Sequence, residues 1–287
     1  IVFKNQKKNV VALTEKELSK LLNKHIPETH PLNNTRNKFV CQIFLQGMRV
    51  SDLQQLKFSN IKGEYIEYTM FKTKKYMKVF ISEIAWKIII YQFKQHCIQE
   101  NITLTNIEVL EKDLTNKKKE AEIFLQNEYS IQSGYDTVIS NKLNDIKNEN
   151  NIEDVEPIFK EIYDINIQLF YSYKWVIKKY TQTDDAYIFD FLQNIQGKPQ
   201  YNTIMSKTVN YNLQLKNLQT YCGIDTPLKS HLSRSSYASL LLNSNIDVYA
   251  ISNALGHSGL AITERYLNGF NTTQTKEINI ALSEMFS

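Results

Sequence analysis

The chain has 287 residues, of which 34 are lysine or arginine and 30 are aspartate or glutamate, giving a formal net charge of +4. This length suffices for a substantial buried core and predicts one large domain or two small ones. A mildly basic chain can bind nucleic acid, but a charge of this size does not demonstrate it. No apolar run reaches the roughly 18 residues of a membrane span, which argues against a membrane-embedded protein.

Cysteine usage indicates the compartment. Cys41, Cys97 and Cys222 are odd in number, widely separated and free of CxxC spacing. Neither a disulfide framework nor a zinc site is therefore expected, and a reducing cytoplasm fits best. The sequence begins at Ile1 with no initiator methionine and no signal-peptide pattern, which we expect of a fragment of a longer protein.

The first 60 residues predict helical segments separated by a turn. Thr14 and Glu17 stand at capping-box spacing before a leucine-rich helical face. A second helical pattern runs through NKFVCQIFLQGMRVSDLQQL, where Gly47 marks a break and Ser51 is a candidate N-cap. This pattern places Arg49 in a turn between two apolar stretches.

A β-hairpin is predicted next, within GEYIEYTMFKTKKYMKVFIS. Apolar and polar residues alternate on both sides of a lysine-rich tip. The alternating apolar positions are Ile66, Tyr68 and Met70 on the first strand and Met77, Val79 and Ile81 on the second, and the tip holds Lys72, Lys74 and Lys75.

Residues 99–180 differ in character from what precedes them. They are polar, rich in Lys, Glu and Asn, and keep apolar residues at alternating spacings of three and four. This pattern predicts two long antiparallel helices forming an inserted hairpin, with breaks near SGYD and KNENN. A solvated helical arm is the simpler interpretation, and an arm that contacts a partner or DNA is the alternative.

The last third is predicted to be helical again. One helix ends at Gly223, and a second helical stretch is broken by the sequence NSN. Asp247 is a candidate cap for the next helix, which Gly256 closes. The tail KEINIALSEMFS is short and amphipathic.

Four polar residues in this region suit one chemical task as a group. His231 and Arg234 are three residues apart and would project from one helical face, while His257 directly follows a helix-ending glycine. Tyr266 follows nine residues later. Each of them alone is most simply structural, but an imidazole pair with a guanidinium and a phenol would suit an oxyanion such as phosphate.

This ordered set resembles the tyrosine recombinases, the phage-integrase family of site-specific DNA strand-exchange enzymes. The boxes that carry the resemblance are, in order, GMRVSDLQQLKFSNI, FKTKKYMKVFIS, HLSRSSYASLLL, LGHS and TERYLNG. The resemblance as a whole spans roughly residues 13–267, and residues 99–180 stand outside it. One box alone would be a weak match, whereas five in the family's order are specific.

The resemblance implies a role for each site residue. Tyr266 would attack the scissile phosphodiester and become joined to the DNA 3′ phosphate, releasing a 5′ hydroxyl. Arg49 and Arg234 would hold the nonbridging oxygens. His257 would add a further hydrogen bond.

Proton transfer is also assigned by the resemblance. His231 would assist at the tyrosine, and Lys72 would protonate the leaving 5′ oxygen, with Lys74 and Lys75 as competitors for that role. Asp52 matches the family's acidic position after the first arginine and would support the site without doing chemistry. No metal, cofactor or ATP is implied.

The implied fold is mainly α with a small antiparallel β-sheet (α+β). Residues 1–287 would form the catalytic domain, with residues 99–180 inserted in it as a long helical hairpin and an N-terminal core-binding domain missing from this chain. The implied partner is double-stranded DNA, on which four protomers would form a synapse in the cytoplasm of a bacterium, at the nucleoid. The C-terminal helix is a candidate for docking on a neighbouring protomer or on its own domain.

Two alternatives remain beside this interpretation. One is a type IB topoisomerase-like or resolvase-like enzyme that uses the same site to relax or resolve DNA. The other is a DNA-binding architectural relative that performs no catalysis. Substitution of Tyr266 distinguishes the second from an enzyme.

Overall fold

The chain divides into two compact units. The structure is a computed structural model that describes residues 11–257 except 104, 130–151, 181–184, 194, 196 and 245. Unit 1 combines Ile1–Ala85 with Phe189–Ser287, and unit 2 is Trp86–Ile188. Unit 2 is thus wider on both sides than the insertion expected from the sequence.

The described residues are mainly helical with a small antiparallel sheet, as predicted. The elements in chain order are α1 (Glu15–Asn23), α2 (Pro31–Phe44), α3 (Val50–Leu53), a 3₁₀ turn (Phe58–Asn60), β1 (Ile61–Lys62), β2 (Tyr65–Thr69), β3 (Tyr76–Phe80), α4 (Glu83–Gln99), α5 (Thr105–Tyr129), α6 (Ile152–Tyr180), α7 (Tyr201–Cys222), α8 (Leu232–Asn243) and α9 (Val248–Ala254). None of these helices is long and apolar enough to cross a membrane.

The predicted hairpin is present as β2 and β3, and β1 adds a short third strand that the alternation did not predict. The strand order is β1, β2, β3, with every pair antiparallel. Ile66 faces Val79 and Tyr68 faces Met77 across the hairpin. The side chains of Ile66, Met77 and Val79 are buried, so one face of the sheet joins the core of unit 1.

Local capping explains where several helices of unit 1 begin and end. The predicted capping box at Thr14 and Glu17 is confirmed, since each side chain accepts from the other residue's backbone N–H. Asp247 caps α9 through the N–H of Ala250, and Gly223 ends α7 at φ 62°. The N-cap expected at Ser51 is wrong: α3 begins at Val50 with Arg49 as its cap, and Ser51 lies inside the helix.

Helix α2 lies at the centre of unit 1. It packs against both α7 and α8. Phe39, Cys41 and Leu45 on its inner face are completely buried, as are Leu215 and Leu218 of α7. Cys41, Cys97 and Cys222 are all buried, and none of them forms a disulfide within the described residues. This packing fixes the end of α2, which leads directly into the turn that carries Arg49.

Unit 2 contains the predicted pair of long helices. Helices α5 and α6 pack together, and Glu111 contacts Tyr173 while Lys118 donates to Asn166 at 3.2 Å. The two helices are antiparallel, because the contact nearer the start of α5 is made with the residue nearer the end of α6. Ile107 and Leu114 of α5 and Ile162 and Ile165 of α6 are buried between them. The predicted breaks at SGYD and KNENN lie outside the described residues.

Candidate active site

The turn after α2 presents Arg49. Gln46 and Gly47 both adopt left-handed backbone conformations, at φ 57° and 60°. The buried amide of Gln42 donates to the carbonyl oxygens of Met48 at 2.9 Å and Ser230 at 3.3 Å. Gln42 therefore joins this turn to the loop that precedes α8, which brings two sequence-distant segments together.

Arg234 lies against this turn. Its guanidinium donates to the carbonyl oxygen of Gly47 at 3.2 Å and to that of Leu255. A Cβ added at Gly47 would lie 3.0 Å from the Cα of Arg234 and 3.2 Å from the Leu255 side chain. Because the chain approaches so closely and with positive φ, glycine is required here. Arg234 is only 8% exposed and is held by backbone carbonyls on two sides.

His257 follows the glycine that ends α9. Gly256 has φ 65°, and a Cβ there would lie 2.7 Å from the sulfur of Met77 on the hairpin. The imidazole is buried, and burial together with the charges of Arg234, Arg49 and Lys75 lowers the pKa of His257 to about 4. At neutral pH the ring is therefore uncharged and can donate one hydrogen bond.

Arg49 is half-buried between the α2 turn and the hairpin. Within the described part of the chain, the Nη1 of Arg49 donates a hydrogen bond to the Met70 sulfur at 3.2 Å. A thioether is a weak acceptor, and a guanidinium has five N–H donors. Arg49 thus retains donors that can bind an anion.

Asp52 is the buried acid of the site. Its Oδ1 accepts from the backbone N–H of Phe71 at 2.7 Å, and its buried Oδ2 has no hydrogen-bond partner among the described residues. Burial raises the pKa of Asp52, while the Phe71 hydrogen bond and the charges of Arg49, Arg234 and Lys74 oppose that rise. The carboxyl also lines an open cavity of about 300 Å³ beneath the hairpin turn.

The hairpin turn carries the three lysines that the sequence offers as candidates for the general acid. Lys74 has φ 56°, and its Nζ lies 5.0 Å from the centre of the Phe71 ring. The charge of Lys74 acts on Asp52 and that of Lys75 acts on His257. All three lysines, Lys72 included, are exposed. Lys74 and Lys75 are therefore the turn lysines whose charges reach the arginine and histidine cluster.

His231 and Arg234 both lie at the start of α8, three residues apart. His231 is the exposed N-cap residue and has helical backbone angles, φ −81° and ψ −15°, whereas Arg234 is buried in the first turn of that helix. The two side chains therefore differ in their exposure to solvent. Tyr266 lies outside the described residues, and so does the C-terminal tail.

The cluster that the structure brings together has one chemical character. Arg49 and Arg234 come from the α2 turn and α8, and His257 follows α9. The positive charges of Arg49 and Arg234 both act on His257 and on Asp52. Two guanidinium cations therefore lie beside a neutral imidazole. Within the described residues, no group of three or more His, Cys, Asp or Glu side chains could hold a metal ion. Such a site suits an oxyanion such as phosphate.

Supporting residues were missed by the sequence analysis. Ser236 accepts from the Leu13 backbone N–H at 2.9 Å, and Ser235 donates to the Val11 carbonyl oxygen at 2.8 Å. These bonds tie the start of the described chain to the helix that carries Arg234. Gln42 was also missed, because nothing in its local sequence distinguishes a buried amide from a surface one.

A comparison with known protein families matches a range of the chain that contains several of the residues described above. Residues 142–272 match the phage integrase family. This match contains His231, Arg234, His257 and Tyr266, and it confirms the resemblance over that range. It also contains α6, which the sequence analysis had set outside the resemblance, and it does not include Arg49 or the hairpin.

The solved structures that are similar to this chain include the crystal structure of XerA recombinase, with 16% sequence identity and a TM-score of 0.49. The similarity covers 95% of this chain and 65% of the XerA chain. No curated protein sequence matches the chain.

Proposed function

We propose that this chain is the catalytic domain of a site-specific DNA recombinase that cleaves and rejoins strands through a 3′-phosphotyrosyl intermediate. The observation that carries the proposal is the convergence of Arg49, Arg234 and His257, which are separated by up to 208 residues in sequence. The family match over residues 142–272, which contains Arg234 and His257, also supports the proposal. Residues 99–180 would be an insertion in this domain.

The charges of the cluster suit the proposed chemistry. The transition state of phosphoryl transfer gains negative charge on its equatorial oxygens, and a fixed donor aimed there can contribute about 3 kcal/mol, by analogy with an oxyanion-hole donor. Arg49 and Arg234 would supply fixed cations, and neutral His257 would donate a hydrogen bond. Because Arg234 is held by two backbone carbonyls, its guanidinium is oriented before any ligand binds.

The nucleophile would be Tyr266. A phenol with an ordinary pKa near ~10 is a weak nucleophile at neutral pH, so it needs a base and positive surroundings. His231 is exposed at the start of α8, where its ring is accessible to a proton from the tyrosine. The bond formed to the 3′ phosphate retains the energy of the broken linkage, so rejoining would need no ATP.

Covalent trapping tests the proposal. Duplex DNA from the regions flanking the encoding gene is labelled at either end, incubated with the protein and denatured. We expect a protein–DNA adduct at a 3′ phosphate, lost in Tyr266→Phe and retained in Tyr249→Phe. Tyr249 is a matched control because it is an exposed tyrosine on α9 outside the site.

The same assay separates the alternatives. Joining of strands from two duplexes marks a recombinase, whereas relaxation of supercoiled DNA without strand exchange marks topoisomerase-like activity. Specific binding with no adduct on DNA that contains the target would favour an architectural protein and contradict the proposal. The proposed partner is double-stranded DNA bound by four protomers at the nucleoid, and counting protomers on a two-site DNA by light scattering tests that number.

A further inference from the structure

The outer face of α6 carries exposed aromatic side chains. Tyr171 and Trp175 are 60% and 58% exposed, although such large rings are usually buried or held in interfaces. They are four residues apart and therefore share one face of the helix. Asp164, Gln168 and Lys179 continue the same exposed stripe, at spacings of three and four residues. We call Asp164, Gln168, Tyr171, Trp175 and Lys179 the α6 stripe.

Charge is divided along this helix. From residue 152 to 164 the sequence has five acidic residues and one lysine, whereas from residue 165 to 180 it has three lysines and no acid. Opposite charges at the two ends suit the helix dipole. The dipole does not account for two large aromatic rings exposed midway between them. The combination of a central aromatic pair with opposite charges on either side indicates a docking face.

The spacing of the stripe is self-complementary. When two copies of α6 lie antiparallel and Asp164 of one copy is placed opposite Lys179 of the other, Gln168 falls opposite Trp175. The two Tyr171 side chains then meet at the twofold axis. Each copy contributes the same patch, which is the condition for a twofold contact. The two Asp164–Lys179 pairs lie about 22 Å apart along the helix, at a rise of about 1.5 Å per residue.

We propose that the α6 stripe is a contact surface for α6 of a second copy of this chain, packed antiparallel about a twofold axis at Tyr171. Tyr and Trp are the residues that most often dominate the energy of such contacts. The charge pairs would fix the register, because sliding either helix by one turn separates them. The contact goes beyond the proposed strand-exchange chemistry and does not depend on it.

DNA fits this face less well. Unit 2 has 12 lysines and 17 acidic residues in sequence, a formal charge of −5 that would repel phosphate. The stripe itself contains Asp164.

Disulfide cross-linking of the full chain tests the contact. Cys41, Cys97 and Cys222 are buried, so background cross-linking should be low. Under mild oxidation, Tyr171→Cys should form a covalent dimer, since the two positions meet at the axis. Lys119→Cys, on the exposed surface of α5, is the matched control and should not. A dimer yield for Tyr171→Cys no greater than that of the control would overturn the proposal.

Charge reversal tests the register. Adding Lys179→Glu or Asp164→Lys to Tyr171→Cys places like charges opposite each other twice per dimer and should lower the yield about tenfold. Combining both reversals restores opposite charges across the axis and should restore the yield. A double variant as poor as the singles would contradict this register. Circular dichroism of each variant verifies that its helices are intact.

The same variants separate the contact from a nucleic-acid face. If Lys179→Glu weakens binding to a duplex DNA of arbitrary sequence, Asp164→Lys strengthens it, and neither changes cross-linking, then α6 binds DNA and the proposal is wrong. Unchanged DNA affinity with altered cross-linking supports the contact between copies. Neither result depends on whether Tyr266 forms an adduct.

Discussion

At the scale of single residues, His257 links the site to the stability of the fold. Its pKa of about 4 lies below the ordinary 6.5 because it is buried near Arg234 and Arg49. Between these values the unfolded chain binds a proton that the folded chain does not, so stability is lost as pH falls from 6.5 toward 4. We expect wild type to lose about 2 kcal/mol more than His257→Gln between pH 7 and pH 5. Urea unfolding at both pH values measures the difference.

Glu17 provides the background for that experiment. Burial raises the pKa of Glu17, but hydrogen bonds from Thr14 and Thr226 outweigh burial, so the pKa is lowered overall. Glu17 therefore also stabilises the fold at neutral pH, and stabilises it less in acid. Glu17 is present in both proteins, and its contribution cancels when the two are compared. An equal loss of stability in wild type and His257→Gln would show that His257 titrates with its ordinary pKa in the folded protein.

Asp52 supports the hairpin through one of its two oxygens. Its Oδ1 holds the backbone N–H of Phe71, while Oδ2 is buried without a partner among the described residues. Asp52→Ala removes this acceptor and should lower the free energy of unfolding by about 1–3 kcal/mol. Asp52→Asn keeps an acceptor and removes the buried charge, so its stability should stay within about 1 kcal/mol of wild type. Thermal unfolding of both variants tests the pair, and equal losses would contradict this account.

At the scale of elements, the hairpin poses the question of which lysine is the general acid. Lys72 is the residue implied by the family pattern, whereas Lys74 and Lys75 carry the charges that reach Asp52 and His257. Replacing the acid should slow cleavage at least a hundredfold, because protonation of a poor leaving group contributes about 10²–10⁴. A substrate with sulfur at the 5′ bridging position needs no such proton and should restore the rate.

The experiment compares Lys72→Ala, Lys74→Ala and Lys75→Ala on the oxygen and sulfur substrates. Rescue confined to one variant identifies the acid, and the other two serve as its matched controls. If all three variants cleave the oxygen substrate at the wild-type rate, the proton does not come from this turn.

The elements also show what sequence could and could not predict. The capping box of α1 was predictable because both of its partners lie within four residues. The start of α3 was not, since the turn before it is set by Gln42 bonding to Met48 and to distant Ser230. Contacts such as Arg234 with Gly47, 187 residues apart, leave no local signal.

At the scale of the whole molecule, charge is divided between the two units. Unit 1 has 22 lysines and arginines and 13 acidic residues in sequence, a formal charge of +9, against −5 for unit 2. The modest net charge of the chain therefore conceals a strongly basic unit joined to an acidic one. A basic surface attracts DNA through its phosphates and releases counterions on binding. We expect unit 1 to contribute the phosphate contacts.

The salt dependence of DNA binding tests this division. If about six phosphates are contacted, the affinity for a duplex of arbitrary sequence should fall about fortyfold when salt doubles. Replacing Lys72 and Lys75 by alanine should make the slope of log affinity against log salt shallower by about 1 to 2. Replacing exposed Lys117 and Lys119 of α5 removes the same charge from unit 2 and should leave the slope unchanged. Fluorescence anisotropy over a salt series measures both slopes, and an equal reduction in the two variants would place DNA on both units.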